Sequence, residues 1–213
     1  MMMANQSSTV KVIEKVIAQA RTRYNDLMQS EYISFNLKID GISTKGQCQD
    51  NKRQTNIKEE NTKQMTCTLD VPVKRGSLVE MMSDPKLLTY DLKGIVISTP
   101  TETPVDYFFS TLLFNTVVTR KRNQFLYNED GDVIDNSPFV DEKIDAFVQR
   151  VGMRERQIDA GIDRNSVNQI IATNEWDIKK DDILYIADDK YKITDLEELE
   201  NDMISGFMTY YRE

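Results

Sequence analysis

The fold of this chain is decided by the stretch Val73-Lys74-Arg75-Gly76-Ser77-Leu78-Val79-Glu80, which returns later as Ile178-Lys179-Lys180-Asp181-Asp182-Ile183-Leu184-Tyr185. In both stretches a β-branched residue precedes a basic pair and a polar turn pair, and two apolar residues then restart a strand. Downstream, Tyr90-Asp91-Leu92-Lys93-Gly94-Ile95 is similar to Tyr191-Lys192-Ile193-Thr194-Asp195-Leu196. The pattern predicts one small β-module used twice, although any β-meander can repeat a turn of this kind.

The composition is that of a folded protein of ordinary polarity. Of the 213 residues, 39% are apolar and 29% are charged, which suits one large or two small domains. No apolar run approaches the roughly 20 residues of a membrane-spanning helix, and the N-terminus lacks the features of a secretion signal. We therefore expect a soluble protein without membrane contact.

The chain contains no histidine, and this restricts its chemistry. Histidine is the side chain best suited to proton transfer near neutral pH and the commonest zinc ligand. The cysteines, Cys48 and Cys67, have no second pair nearby and are expected as free thiols. Glycine-rich phosphate motifs and nucleophile elbows are also missing. The sequence therefore predicts no catalytic site, cofactor or metal centre, and favours a protein that is not an enzyme.

An amphipathic helix is predicted over residues 1–30. Its apolar stripe follows three- and four-residue steps and comprises Val10, Ile13, Val16, Ile17, Ala20, Tyr24 and Leu27. Such a stripe must pack against something. We expect that partner to be the helix's own β-domain, with a neighbouring subunit as the alternative.

The rest of the chain is expected to be mainly β, in two small antiparallel modules of barrel or sandwich type. The first module is assigned to residues 31–137 and includes a long polar stretch at 46–65, which is expected to be a long loop or a mobile hairpin. Residues 138–169 are interpreted as a connector, and residues 170–213 as a second, smaller module. Within that module, the acidic run 195–202 is expected to form a turn or a short helical piece.

Two kinds of polar cluster offer alternatives to a purely structural protein. The triplet Arg120-Lys121-Arg122, close to Phe125, is a candidate contact with single-stranded nucleic acid or with another subunit. A structural role or a subunit contact is favoured over nucleic-acid binding. The formal charge of −8 argues against a dedicated duplex-DNA binder. Acidic turns at 128–132 and at Asp181-Asp182 with Asp188-Asp189 could hold calcium or magnesium, but ordinary hairpin turns are favoured.

Several predicted strand and turn segments together resemble those of a known protein family. They are Leu69-Asp70-Val71-Pro72-Val73 followed by the first turn, Gly94-Ile95-Val96-Ile97-Ser98-Thr99-Pro100, Asp106-Tyr107-Phe108-Phe109, and the second turn followed by Tyr191-Lys192-Ile193-Thr194-Asp195. With the N-terminal helix and the polar stretch, they are similar to the head-completion proteins of tailed bacteriophages, also called stopper or head-closure proteins.

The resemblance implies a structural virion protein assembled in the host cytoplasm. It implies a homo-oligomeric ring, of six or twelve copies, between the portal or its adaptor and the tail, with packaged DNA passing through the centre. The ring wall would use strand edges that pair with neighbouring copies. The polar loop would gate the channel or clasp a neighbour, and its candidate residues are Asp50, Lys52, Arg53, Lys58, Glu59 and Glu60.

Three other functions remain open. Within the same class, the chain could be a tail terminator or another connector ring. From a different class, it could be a β-barrel that binds single-stranded nucleic acid, and a cation-dependent enzyme is a weaker alternative.

Overall fold

The fold was analysed in a computed structural model, which describes residues 3–30, 33–50, 57–83, 89–123, 139–152, 162–199 and 203–211. The chain divides into two compact units, Met1–Leu113 and Phe114–Glu213. Each unit contains a closed six-stranded antiparallel β-barrel. The predicted fold class, mainly β with an N-terminal helix and two small barrel modules, is confirmed.

The first unit begins with a long helix and continues into the first barrel. Its elements are α1 (Met3–Met28), β1 (Phe35–Ile39), β2 (Ile42–Asp50), α2 (Ile57–Asn61), β3 (Thr62–Thr68), β4 (Leu78–Met81), β5 (Leu92–Val96), β6 (Thr101–Glu102) and β7 (Asp106–Leu113). Around the barrel the strands follow the order β1-β2-β3-β7-β5-β4, and β4 pairs with β1 to close it. The two-residue β6 pairs with the first half of β7.

The second unit repeats this arrangement. Its elements are β8 (Thr116–Asn123), β9 (Phe139–Arg150), β10 (Asn168–Thr173), a 3₁₀-helix (Asn174–Trp176), β11 (Ile183–Ile186), β12 (Asp189–Leu199) and β13 (Met203–Tyr210). The order around the barrel is β8-β9-β10-β13-β12-β11, and β11 pairs with β8. If β6 is left out and the strands of each barrel are numbered one to six along the chain, both barrels have the order 1-2-3-6-5-4. The shared topology supports the interpretation that one module is used twice.

The interior of each barrel is apolar and comes from alternate residues of the strands. In the first barrel the buried side chains are those of Leu37, Ile39, Met65, Cys67, Val71, Val79, Met81, Val96, Phe109 and Leu113. In the second they are those of Val118, Ile144, Ala146, Ile170, Ala172, Ile178, Leu184, Tyr191, Ile193, Ile204 and Met208. Each unit therefore has a core of its own.

The predicted domain boundaries are wrong, because the second unit begins at Phe114. Strands β8 and β9 were assigned to the first module and to the connector at 138–169, but they pair with each other and with β11 and β10. In β9 the inward positions Ile144 and Ala146 are fully buried while Asp141 and Lys143 face outward. The charged outward positions concealed the two-residue period. The predicted hairpin at 128–132 and Phe125 lie outside the described residues.

Of the two alternatives for the polar stretch 46–65, a loop or a hairpin, the structure has the hairpin: Gly46–Asp50 belongs to β2 and pairs with Lys63–Cys67 of β3. Met65 and Cys67 belong to the core. The polar residues of these segments are held by backbone pairing, because β2 also pairs with β1, and β3 with β7. Similarly, the acidic run from Asp195 forms the second half of β12 as far as Leu199, rather than a turn or a helix. Acidic side chains suit its outward positions, while the pairing with β13 holds the backbone.

Closure of both barrels leaves few strand edges in the part of the chain that the structure describes. The expected pairing of strand edges between ring neighbours is therefore not available from the barrel walls, and β6 is too short to supply it.

Candidate functional site

The turn of the repeated stretch is held by a defined set of hydrogen bonds in the first barrel. The turn residues are Lys74, Arg75, Gly76 and Ser77. The Ser77 N–H donates to the Lys74 carbonyl (3.1 Å), and the Lys74 N–H donates to Ser77 Oγ (3.2 Å). The Gly76 N–H donates to the carbonyl of Val96 (2.8 Å), whose own N–H donates to the Ser77 carbonyl (3.0 Å). Gly76 has a φ of 90°, as the third position of a type II turn requires.

The second barrel has the same hydrogen bonds at the equivalent positions. The turn residues are Lys179, Lys180, Asp181 and Asp182. The Asp182 N–H donates to the Lys179 carbonyl (3.1 Å), and the Lys179 N–H donates to Asp182 Oδ2 (2.9 Å). The Asp181 N–H donates to the carbonyl of Ile193, whose N–H donates to the Asp182 carbonyl (both 3.0 Å). Asp181 has a φ of 74°. The sequence repeat is thus a structural repeat of one turn.

The two turns are anchored to the neighbouring strand by opposite charges. In the first barrel, Asp40 follows β1 and accepts hydrogen bonds from the Ser77 hydroxyl and the Leu78 N–H (both 2.8 Å). In the second barrel, Arg120 of β8 donates through Nη1 to Asp182 Oδ2 (2.9 Å). The fourth residue of the turn is therefore held by an acid in one copy and by a base in the other.

Arg120 is the most heavily bonded charged side chain in the described residues of the second unit. It is only 3% exposed. Its Nε and Nη2 donate to Glu142 Oε2 (3.0 and 2.6 Å), and its remaining bonds go to the carbonyls of Trp176 (2.6 Å) and Asp177 (2.9 Å). Burial by itself lowers the pKa of Arg120, but the bonds to Glu142 and Asp182 outweigh it and raise that pKa above its usual value.

The basic triplet is therefore not a single surface patch, and the expectation that Arg120 contacts nucleic acid or a subunit is wrong. Neighbouring residues of a strand point to opposite faces, so Arg120 points inward and Lys121 outward. Lys121 is exposed, and its ammonium lies 5.3 Å from the ring centroid of Tyr185. The ammonium of Lys190 lies 5.9 Å from the same centroid. Arg122 belongs to β8, but its side chain lies outside the described residues.

The acidic turns are occupied by contacts within the chain. Asp181 Oδ1 lies 2.9 Å from Lys192 Nζ, and this hydrogen-bonded pair lowers the pKa of Asp181 and raises that of Lys192. Asp182 holds Arg120, and Asp189 Oδ2 accepts a hydrogen bond from Tyr191 (3.4 Å). Within the described ranges, no three His, Cys, Asp or Glu side chains are grouped so as to hold a metal ion.

Four of the six candidate gating residues lie on a hairpin that consists of β2, α2 and β3. Asp50 ends β2, is 72% exposed, and pairs with Lys63 of β3 at 2.6 Å. Lys58, Glu59 and Glu60 lie on α2, which contacts β3 and β7. Burial lowers the pKa of Lys58, whereas Glu60 is exposed. Lys52 and Arg53 lie outside the described residues.

Among the described side chains of α1, residues 9–28, contact with the first barrel is confined to the second half of the helix. Tyr24 donates a hydrogen bond to Thr66 Oγ1 (3.3 Å), Arg21 Nε donates to the Pro104 carbonyl (2.6 Å), and Met28 is buried. Burial raises the pKa of Tyr24 to about 12. Residues 9–16 are all exposed. The expectation that the whole stripe packs on its own domain is therefore wrong, because the helix extends beyond the barrel surface that it contacts.

A polar cleft of about 360 Å³ lies beside this covered half of α1. It is wide open and is lined by Asn25, Gln29, Asn36, Ser43, Thr44, Lys45, Thr68, Asp70 and Tyr90. The Thr44 hydroxyl donates to Thr68 Oγ1 (2.8 Å), and the Thr68 hydroxyl donates in turn to Asp70. These polar groups satisfy one another and hold the connection after β3 against β2.

Comparison of the chain with models of known protein families and with curated proteins gave no match. In the described residues, no helix combines the length and the apolarity needed to cross a membrane.

Proposed function

We propose that this chain is a structural protein of the head-to-tail neck of a tailed bacteriophage. It forms a ring in the virion that connects the portal or its adaptor to the tail, and it helps to retain or gate the packaged DNA. The chain acts by shape and assembly, without a catalytic step. A ring of six or twelve copies is the arrangement implied by the resemblance in sequence.

The observation that carries the proposal is the hairpin of β2, α2 and β3. Both of its strands are part of the closed wall of the first barrel, so the polar segment between them is mounted on a stable base. Residues 50–63 contain four basic and three acidic side chains, and Asp50 is paired with Lys63, so the hairpin itself is close to neutral. The net charge of −8 comes from the rest of the chain and suits a surface beside DNA that must move without adhering. A closed barrel that carries a polar hairpin is a suitable part for the wall of a channel.

Depletion of the protein during phage production tests this function. Without it, we expect heads that package DNA but attach no tails and lose their DNA, which becomes accessible to nuclease. Supply of the wild-type chain should restore tailed, nuclease-resistant particles, and cryo-electron microscopy should place it in the neck. Infectious tailed particles of normal yield without the protein would refute the proposal.

The same depletion separates the stopper function from a tail terminator. Loss of a tail terminator leaves DNA-filled, nuclease-resistant heads and tails of irregular length, because head closure does not depend on it. Loss of a stopper leaves tails of normal length that are not joined to heads.

A second candidate function, binding of single-stranded nucleic acid, is favoured by one arrangement. Lys121 and Lys190 lie within 6 Å of the ring centroid of Tyr185, and aromatic rings with adjacent cations are used to stack bases. Fluorescence anisotropy with a labelled oligonucleotide, at low and high salt, tests it. Tight binding that is lost in Tyr185→Ala and Lys121→Ala would favour this function, whereas no binding at low salt would exclude it.

A further inference from the structure

The first half of α1 presents an uncovered apolar face. Val10, Val12, Ile13 and Val16 are 52%, 62%, 52% and 59% exposed. At 100° per residue, these four side chains lie on one side of the helix, and Lys11, Glu14 and Lys15 lie on the other. Single exposed apolar residues are ordinary on protein surfaces, but four adjacent ones mark a contact surface.

The exposed face continues a contact that already exists within the chain. Ile17, Ala20 and Tyr24 are half-buried and Met28 is buried, and these residues follow the same three- and four-residue steps as Val10 and Ile13. One stripe is therefore covered by the first barrel from residue 17 to residue 28 and uncovered from residue 10 to residue 16. The uncovered half has the composition of a packing surface rather than of a solvated end.

The charges indicate what covers it. Within Met3–Met28 there are four basic and two acidic side chains, a net charge of +2. Because the whole chain carries −8, the chain outside the helix carries −10. Two copies of α1 would repel each other, whereas α1 and the body of another copy attract. Strand edges do not compete for this role, since both barrels are closed.

We propose that Val10, Val12, Ile13 and Val16 dock on the body of a second copy of this chain. The contact is heterologous, because the helix of one copy meets a different surface of the next, and such contacts propagate into a ring when the rotation closes. The inference rests on the proposed neck function and identifies the element by which one ring subunit holds its neighbour.

The first experiment measures self-association of the full chain by sedimentation over a wide range of concentration, in low and high salt. The wild type is expected to associate at high concentration, more weakly as salt rises. Replacement of Val10, Ile13 and Val16 by Gln should weaken association at least tenfold and leave the thermal midpoint nearly unchanged, since these side chains are 52%, 52% and 59% exposed in their own chain. Ala18→Gln, an exposed position on the polar side of the helix, is the matched control and should associate like the wild type.

The second experiment identifies the receiving surface. Equal amounts of isotopically light and heavy chain are treated with an amine-reactive crosslinker whose spacer exceeds the helix diameter of about 10 Å, because Lys11 and Lys15 lie on the side away from the docking face. Links between Lys11 or Lys15 of one copy and lysines of a barrel of the other are expected. Links only from helix to helix would overturn the proposal.

The remaining outcomes also decide the question. A wild-type chain that stays monomeric at every concentration, or that binds anionic lipid vesicles through Val10, Ile13 and Val16 instead, would overturn the docking contact. If the Gln variant still forms virion rings at wild-type yield, the docking contact is wrong while the neck function stands. If depletion of the protein leaves normal particles, the neck function itself fails.

Discussion

Replacement of Arg120 by Met should destabilise the second barrel severely. The change removes a buried cation that makes five hydrogen bonds, to Glu142, Asp182 and the carbonyls of Trp176 and Asp177. Removal of one partner from a buried ion pair costs about 3–5 kcal/mol. Because the side chains of Glu142 and Asp182 are each 27% exposed, water can partly solvate them, and we expect a loss of about 3 kcal/mol.

The chain offers a specific probe for this loss. Trp176 is the only tryptophan, it packs against the core of the second barrel, and its carbonyl accepts a bond from Arg120. Its fluorescence during unfolding in urea therefore reports on this barrel. A loss of about 3 kcal/mol should lower the midpoint by about 1–3 M urea.

Two comparisons make the result diagnostic. Lys121→Met removes an exposed cation from the same strand and should change stability by about 0.5 kcal/mol or less. The triple replacement Arg120→Met, Glu142→Gln, Asp182→Asn should recover a large part of the loss, because no unpaired charge remains. Equal urea midpoints for Arg120→Met and Lys121→Met would refute the reasoning.

The remaining predictions concern the first unit. Gly46→Ala should cost about 1–3 kcal/mol, because its Cβ would lie 2.3 Å from the Thr66 carbonyl oxygen; an unchanged thermal midpoint by circular dichroism would contradict this. Gly76→Ala should cost about 1–2 kcal/mol in the same assay, since its φ is 90°; stability equal to wild type would show that the turn relaxes. Burial, with smaller contributions from Asp70 and Asp106, raises the pKa of Cys67 from 9.0 to about 12, and burial raises that of Tyr24 from 10.0 to about 12. Both groups stay neutral in the fold and ionise first in the unfolded chain, so these two groups leave stability unchanged below about pH 8 and lower it as the pH rises toward 12; Tyr24→Phe should fall less steeply between pH 10 and pH 12, and identical urea midpoints at pH 8 and pH 11 would exclude the effect.

The sequence predicted those elements whose pattern is local. The three- and four-residue steps from Val10 to Leu27 indicated α1, and the repeated stretch located both turns correctly. The topology of the barrels then explains why the repeat lies where it does, since in each copy the turn precedes the fourth strand. A short sequence match was sufficient to locate the turns, because the conformation of each turn depends mainly on its own four residues.

The errors occurred where structure depends on distant residues. Strand β9 carries charges on its outward positions, and its assignment depends on pairing with β8 and β10 rather than on burial. Arg120 looked like a surface residue, but Glu142 and Asp182 lie 22 and 62 positions away in sequence. Only closure of the barrel brings Arg120, Glu142 and Asp182 together, and no local sequence pattern indicates that these three residues are in contact.

The opposite anchors of the two turns have a consequence for how the halves of this chain can evolve. Exchange of the turn alone between the copies would place Asp182 beside Asp40, which are two carboxylates, and would leave Arg120 facing a serine hydroxyl. Each hybrid would lose its anchor even though both parent turns have the same backbone hydrogen bonds. Each turn therefore works only with the residue that anchors it, and a substitution at one position of either pair requires a compensating substitution at the other.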